Sequence, residues 1–141
     1  MNWNKEHWYL CIIDIISRQV FICDSAPDSN AVNKERENNA KIVCAAIEEA
    51  LSYGFGHGHK GDVNNYKFTM PENCPKQGNG NDCGIYIAKF MEHCGDVKSG
   101  FKLHVTSLDR LRIAFDLFLD LGNEVRHLCV YDFAGLENLF G

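Results

Sequence analysis

A chain of 141 residues, 45% hydrophobic and 23% charged, has the size and composition of one ordinary globular domain. It is too apolar for intrinsic disorder, and no unbroken apolar run is longer than that of residues 8–13, which ends at Asp14, far short of the about 20 residues that cross a bilayer. Fourteen basic and nineteen acidic residues, spread evenly with no basic block, argue against binding driven by nucleic-acid phosphates or by an anionic membrane surface.

In chain order, residues 8–13 (WYLCII) read as a strand and residues 20–23 (VFIC) as its antiparallel partner, with the turn near Ser17-Arg18. Residues 26–33 form a loop rich in Pro, Asp, Ser and Asn. A helix is expected from about Asn33 to Leu51, because Ala40, Val43, Cys44, Ile47 and Leu51 repeat at helical spacing. Gly54, Gly56, Gly58 and Gly61 mark a surface loop. Residues 66–70 (YKFTM) alternate and stop at Pro71, as a short strand does. After a loop through Asn81, a second helix is expected over residues 83–94, apolar almost all round and therefore central and buried. A third covers residues 107–121, with a stripe of Leu108, Leu111, Phe115, Phe118 and Leu119 and a capping box from Thr106 and Asp109. Arg110 and Arg112, among Asp109, Asp116 and Asp120, read as its solvated face. With no repeat or linker, residues 1–141 are read as one α+β domain.

The chain opens without a charged and apolar leader, and its seven cysteines are odd in number with no CxxC pair. Reduced thiols in the nucleus or cytoplasm, and no secretion, are the expectation. Cys83 differs from the other six. A glycine-loosened loop, residues 77–82 (QGNGND), delivers it to the first turn of the second helix, with Asp82 or Asn81 as candidate N-cap. The unpaired N–H groups and dipole of a helix N-terminus favour an anion, and the thiolate is the nucleophile. A buried structural cysteine near a helix start would give the same local pattern.

A cysteine nucleophile needs a base, and the base needs an orienting group. His7 stands at the mouth of the first strand and Asp24 at the end of the second, which puts both on one rim of the hairpin. A tight Ser17-Arg18 turn would pair Cys11 with Asp24 and leave His7 about 13 Å further along. Pairing His7 with Asp24 directly would centre the turn on Ile15-Ile16, which is poor turn chemistry. A bulge or irregular loop is therefore expected.

With His7-Trp8, Asp24-Ser25 seventeen residues after the histidine, Gln77 six residues before the cysteine, and Asn81-Asp82-Cys83-Gly84, the sequence resembles the ubiquitin-like-specific cysteine proteases. These include the SUMO (sentrin) proteases and are related to the adenoviral protease. The resemblance is dense over residues 6–24 and 77–91. It implies a papain-like (adenain-like) cysteine protease architecture: a small sheet and a buried central helix carrying the cysteine. It also implies Cys83 as nucleophile, His7 as general base and then acid, Asp24 as its orienting carboxylate, and Gln77 as oxyanion donor. Trp8 would roof a narrow slot for a C-terminal Gly-Gly.

The implied activity is peptidase or isopeptidase cleavage after that dipeptide in a SUMO-like modifier. The partners would be the modifier and its conjugates, with no nucleic acid, membrane or cofactor. Family domains carry a substantial segment before the histidine, whereas six residues precede His7 here, so an N-terminally incomplete catalytic domain is expected. The alternative is a degenerate, catalytically weak domain that binds a modifier or protein partner. A metal site from His57, His59 and Cys74 is disfavoured, because the paired spacing of structural zinc sites is absent.

Overall fold

The computed structural model describes residues 2–3, 7–26, 30–55 and 62–124. The chain divides into two compact units, Met1–His104 and Val105–Gly141. The first contains strands β1 (Asn2–Trp3), β2 (His7–Trp8), β3 (Leu10–Asp14), β4 (Gln19–Cys23) and β5 (Lys67–Thr69), with helices α1 (Asn30–Phe55) and α2 (Cys83–Glu92). The second contains α3 (Ser107–Leu119).

β1 and β2 form an antiparallel pair. β3, β4 and β5 form a mixed sheet in that order, antiparallel between β3 and β4 and parallel between β4 and β5. The central strand β4 is buried on both faces. Val20 and Ile22 point towards α1, while Phe21 and Cys23 point the other way and are buried as well. The face towards α1 packs in two adjoining clusters. Val20 meets Cys44, Val63 and Tyr66, and Ile22 meets Tyr9 and Ala40, with Cys11, Ile13, Phe68 and Met70 around them.

α1 is longer than its apolar repeat at both ends. Its first turn, from Asn30, carries no stripe that a periodicity argument detects. Its last turn runs through Gly54, which costs about 1 kcal/mol in a helix interior without breaking it. The next described element is a 3-10 turn, Val63–Asn65, whose leading N–H groups are held by α1. Glu48 accepts from Asp62 N at 3.0 Å and from Val63 N at 2.8 Å.

α2 is amphipathic rather than buried all round. Cys83, Tyr86 and Phe90 form the buried stripe, whereas Gly84, Met91 and Glu92 are exposed. Phe90 stacks against Phe101 (centroids 4.9 Å) and lies 6.0 Å from Tyr86. In the second unit the Thr106–Asp109 capping box is formed, with Thr106 N donating to Asp109 at 2.7 Å. Along the stripe of α3, Leu108, Leu111, Phe115 and Leu119 are exposed.

Phe90 is fully buried and anchors the helix that begins at Cys83. Phe90→Ala is expected to cost about 3–5 kcal/mol, the usual range for emptying an aromatic core site. The measurement is a urea titration, in which the midpoint should fall with little change in slope.

Candidate active site

The site begins with the β3–β4 hairpin. Its register pairs Leu10 with Cys23, Ile12 with Phe21 and Asp14 with Gln19, so the turn is residues 15–18, two residues longer than a tight Ser17-Arg18 turn. Ile15 and Ile16 are exposed there, and the turn is built by Asp14 instead. The Asp14 carboxylate accepts from Ile16 N and Ser17 N at 3.0 Å each and from Ser17 Oγ at 2.7 Å, and it pairs with Lys98 at 2.5 Å. Chiefly the Lys98 ammonium holds that carboxyl well below the usual carboxylate range. Arg18 closes the turn in the left-handed region at φ 54°.

Continued by one residue, this register sets Asp24 opposite Tyr9, two residues from His7. That diagonal of about 7–8 Å is bridged by side chains. The chain breaks its strand at Tyr9, and β2 pairs with β1 rather than continuing the sheet. The irregularity expected from the sequence is therefore a longer turn and a strand break. His7 Nε2 meets Asp24 Oδ1 at 2.7 Å.

Asp24 is 4% exposed, and a carboxylate so placed needs partners. Besides His7, its Oδ1 accepts from Ala26 N at 2.7 Å. Its Oδ2 lies 2.6 Å from Nε of Arg36, itself only 3% exposed. The Arg36 N–H is not aligned on the oxygen, so this contact is an ion pair without a formal hydrogen bond. A second arm of the guanidinium donates from Nη1 to Asn33 Oδ1 at 3.1 Å.

Arg36 was not among the residues selected from the sequence. The signal was present: Arg36, Ala40 and Cys44 fall four residues apart, so a charge occupies the sheet-facing stripe of α1. A charge on such a stripe needs a buried partner.

Gln77 is held beside Asp24 by the next residue. Ser25 Oγ donates to Gln77 Oε1 at 2.8 Å, and Gln77 N donates to the Ser25 carbonyl at 2.7 Å. Lys76 Nζ donates to the Asp24 carbonyl at 3.1 Å, and Tyr86 Oη donates to the Lys76 carbonyl at 3.1 Å. Tyr86 is on α2, so the Gln77 segment is fastened to the helix that starts at Cys83. Cys83 is the first residue of that helix and is buried. Asp82, the N-cap, makes no side-chain cap bond, so the first turn is not closed by its own neighbour. α2 packs against β2, the strand of His7 and Trp8. The indole of Trp8 is half-exposed (48%) beside the largely buried His7.

The other described thiols stand in different surroundings. Burial and the neighbouring Cys44 push Cys11 up to about 11, and burial also raises Cys44. Cys23 hydrogen-bonds to Cys74, which raises Cys23 and lowers Cys74, both inside the fold. Cys94 is exposed. Among the described residues no cluster of three His, Cys, Asp or Glu could hold a metal, and His57 and His59 lie outside them. No helix among the described residues is long and apolar enough to cross a membrane.

Arg36→Met would leave the Asp24 carboxylate buried without its cation. The expected cost is about 3–5 kcal/mol, as for other buried pairs cut on one side. Arg36→Lys should recover only part, because an ammonium lacks the planar fork that serves Asp24 and Asn33 together. Chemical denaturation of both variants reads this. A loss below about 1 kcal/mol, the scale of an exposed pair, would show that Asp24 does not depend on Arg36.

Comparison with known proteins bears on the fold and the family. No curated protein matches the chain. Two solved structures align with it at 23% identity and a TM-score of 0.51. One is the SUMO protease Ulp1 with its catalytic cysteine oxidized to a sulfinic acid, covering 79% of this chain and 45% of that one. The other is the C-terminal Ulp1 protease domain in complex with Smt3, the yeast ortholog of SUMO, covering 80% and 45%. The chain thus spans under half the length of these structures, and at this identity the likeness establishes the fold: α+β, of the Ulp1 type. Residues 1–115 match the family described as the Ulp1 protease family, C-terminal catalytic domain. With four fifths of its length matched, the chain belongs to the Ulp1 protease family.

Proposed function

We propose that this chain is part of a cysteine peptidase or isopeptidase that cleaves after the C-terminal Gly-Gly of a SUMO-like modifier. The observation that carries the reading is the 2.7 Å bond from His7 Nε2 to Asp24, on a strand against which the Cys83 helix packs. Family membership and the likeness to a structure holding a SUMO ortholog support the substrate class. The family match runs through residue 115, across both compact units, which supports reading residues 1–141 as belonging to one catalytic domain.

In this reading the Asp24 bond fixes the imidazole and reserves Nδ1 for proton transfer. Nδ1 takes the Cys83 thiol proton, and the sulfur attacks the carbonyl carbon of the terminal glycine. The oxyanion so formed is met by the Gln77 side-chain amide and the Cys83 backbone N–H. Collapse expels the amine, which takes the proton from His7, and leaves a thioester. Water then attacks the thioester, with His7 accepting its proton and returning one to the sulfur. Asp24 supports the imidazolium throughout.

The central test is turnover of a SUMO-like precursor or of a modifier–lysine conjugate, with a modifier-based electrophile as thiol probe. The probe should label Cys83 and spare Cys94, although Cys94 is the more exposed. Cys83→Ala should abolish turnover. Gln77→Ala should lower kcat by about 10²–10³. His7→Ala and Asp24→Ala should add nothing to Cys83→Ala, because residues acting as a unit are not additive. Tight modifier binding with no labelling and no turnover would instead identify a binding module.

Substrate selectivity gives a second prediction. A chain passing beneath the Trp8 indole towards a thiol at a helix start has little room for a Cβ, and glycine also reaches backbone conformations closed to other residues. Modifiers ending in Ala-Gly or Gly-Ala should therefore be cleaved far more slowly than Gly-Gly, and Trp8→Ala should narrow that gap. Equal kcat/KM for all three substrates would remove Trp8 from the substrate path.

A further inference from the structure

We infer that Ser25 is a positioning residue that sets the direction of the Gln77 side-chain amide. A glutamine amide carries an acceptor and a donor at nearly equivalent positions, and a half-turn about its last bond exchanges them. An oxyanion donor works only when Nε2 faces the developing charge; the reversed amide presents a lone pair there and repels it. The choice must therefore be imposed by another group.

Ser25 is the group in place to impose it. Its hydroxyl donates to Gln77 Oε1 at 2.8 Å, and its carbonyl accepts from Gln77 N at 2.7 Å. One residue thus holds both the backbone and the side chain of Gln77. With Oε1 bound, Nε2 is turned away from Ser25 and left to serve another acceptor.

Ser25 is itself rigid. It is 1% exposed, follows the buried strand β4 and adjoins Asp24, which is fixed by His7, Ala26 and Arg36. One dipeptide therefore orients two parts of the site: Asp24 selects the imidazole nitrogen that faces the reaction, and Ser25 selects the amide atom. The catalytic consequence rests on the proposed oxyanion role of Gln77; the orientation itself does not.

Ser25→Ala removes the donor, and Ser25→Cys fills the same space with a poor one, so a folded variant is available even if the alanine leaves a damaging void. Thermal melts identify which variant is folded. The chain has two glutamines, Gln19 and Gln77, so selective 15N-glutamine labelling yields two side-chain amide signals. In the folded variant the Gln77 pair should move towards free-amide values, while the Gln19 pair stays in place. An unchanged Gln77 pair would overturn the inference whether or not the protein turns over substrate.

The kinetic consequence is a loss in kcat of roughly tenfold, below the about 10²–10³ expected for removing the donor outright. KM should be little altered, and Ser25→Cys should cost nothing further in a Gln77→Ala background. A purely structural role would give the same loss in both backgrounds and would count against the inference. If Gln77→Ala leaves kcat intact, the oxyanion role fails. If Gln77→Ala is severe and the Ser25 variants are normal, the positioning role fails alone.

Discussion

The buried carboxylate of Asp24 is the constraint around which the first unit is arranged. An ionised carboxylate withdrawn from water costs several kcal/mol unless other groups replace the lost solvation. Here the replacements come from three directions: His7 from the short strand β2, Arg36 from α1, and the Ala26 N–H from the chain just beyond β4. Satisfying one charge therefore fixes where α1 meets the sheet and where β2 leaves it. The buried arginine matters as much as the histidine in this respect, because it ties the site to the stripe of α1 that continues into Ala40 and Cys44.

The elements that hold these residues are among the most constrained in the chain. β4 is the middle strand of its sheet and is buried on both faces, so its C-terminal end is a well-defined point from which to place side chains. The segment around Lys76 and Gln77 has no regular structure of its own. It is fastened from two sides, by Asp24 and Ser25 at the strand end and by Tyr86 on α2. The Phe90–Phe101 stack fixes the same helix further along. A loop anchored in this way can present an amide with the accuracy of a secondary-structure element.

The hairpin turn shows how local chemistry serves a distant requirement. Hydrophobic Ile15 and Ile16 are poor turn residues, yet the register that brings Asp24 within reach of His7 needs four residues in the turn. Asp14 makes that turn possible by accepting three hydrogen bonds from residues inside it, and Lys98 holds the carboxylate in its charged form. The left-handed backbone at Arg18 then directs the chain into β4. Arg18 also pairs with Asp62 and lies over Tyr66, and its carbonyl accepts from Lys67 N at 3.1 Å, which carries the turn into the parallel ladder with β5.

By itself the sequence determined the type and rough place of the longer elements and the family resemblance, but not the strand Asn2–Trp3 or the full extent of α1. Short apolar runs rich in branched and aromatic residues beside turn residues read as strands, and the order and spacing of His7, Asp24, Gln77 and Cys83 carried the family resemblance. What it could not determine were facts carried by contacts between distant segments. The turn length depended on an Asp14 side chain acting on the backbone, and the burial of α2 along one stripe depended on which neighbours cover it. Arg36 looked like one polar residue among several at the start of a helix until the fold set it against Asp24. Ser25 looked like half of a motif until Gln77, fifty-two residues away, was brought onto its hydroxyl. Periodicity and propensity report on a residue's neighbours in the chain. A buried charge or a fixed amide direction is settled by its neighbours in space, and only the tertiary structure supplies those.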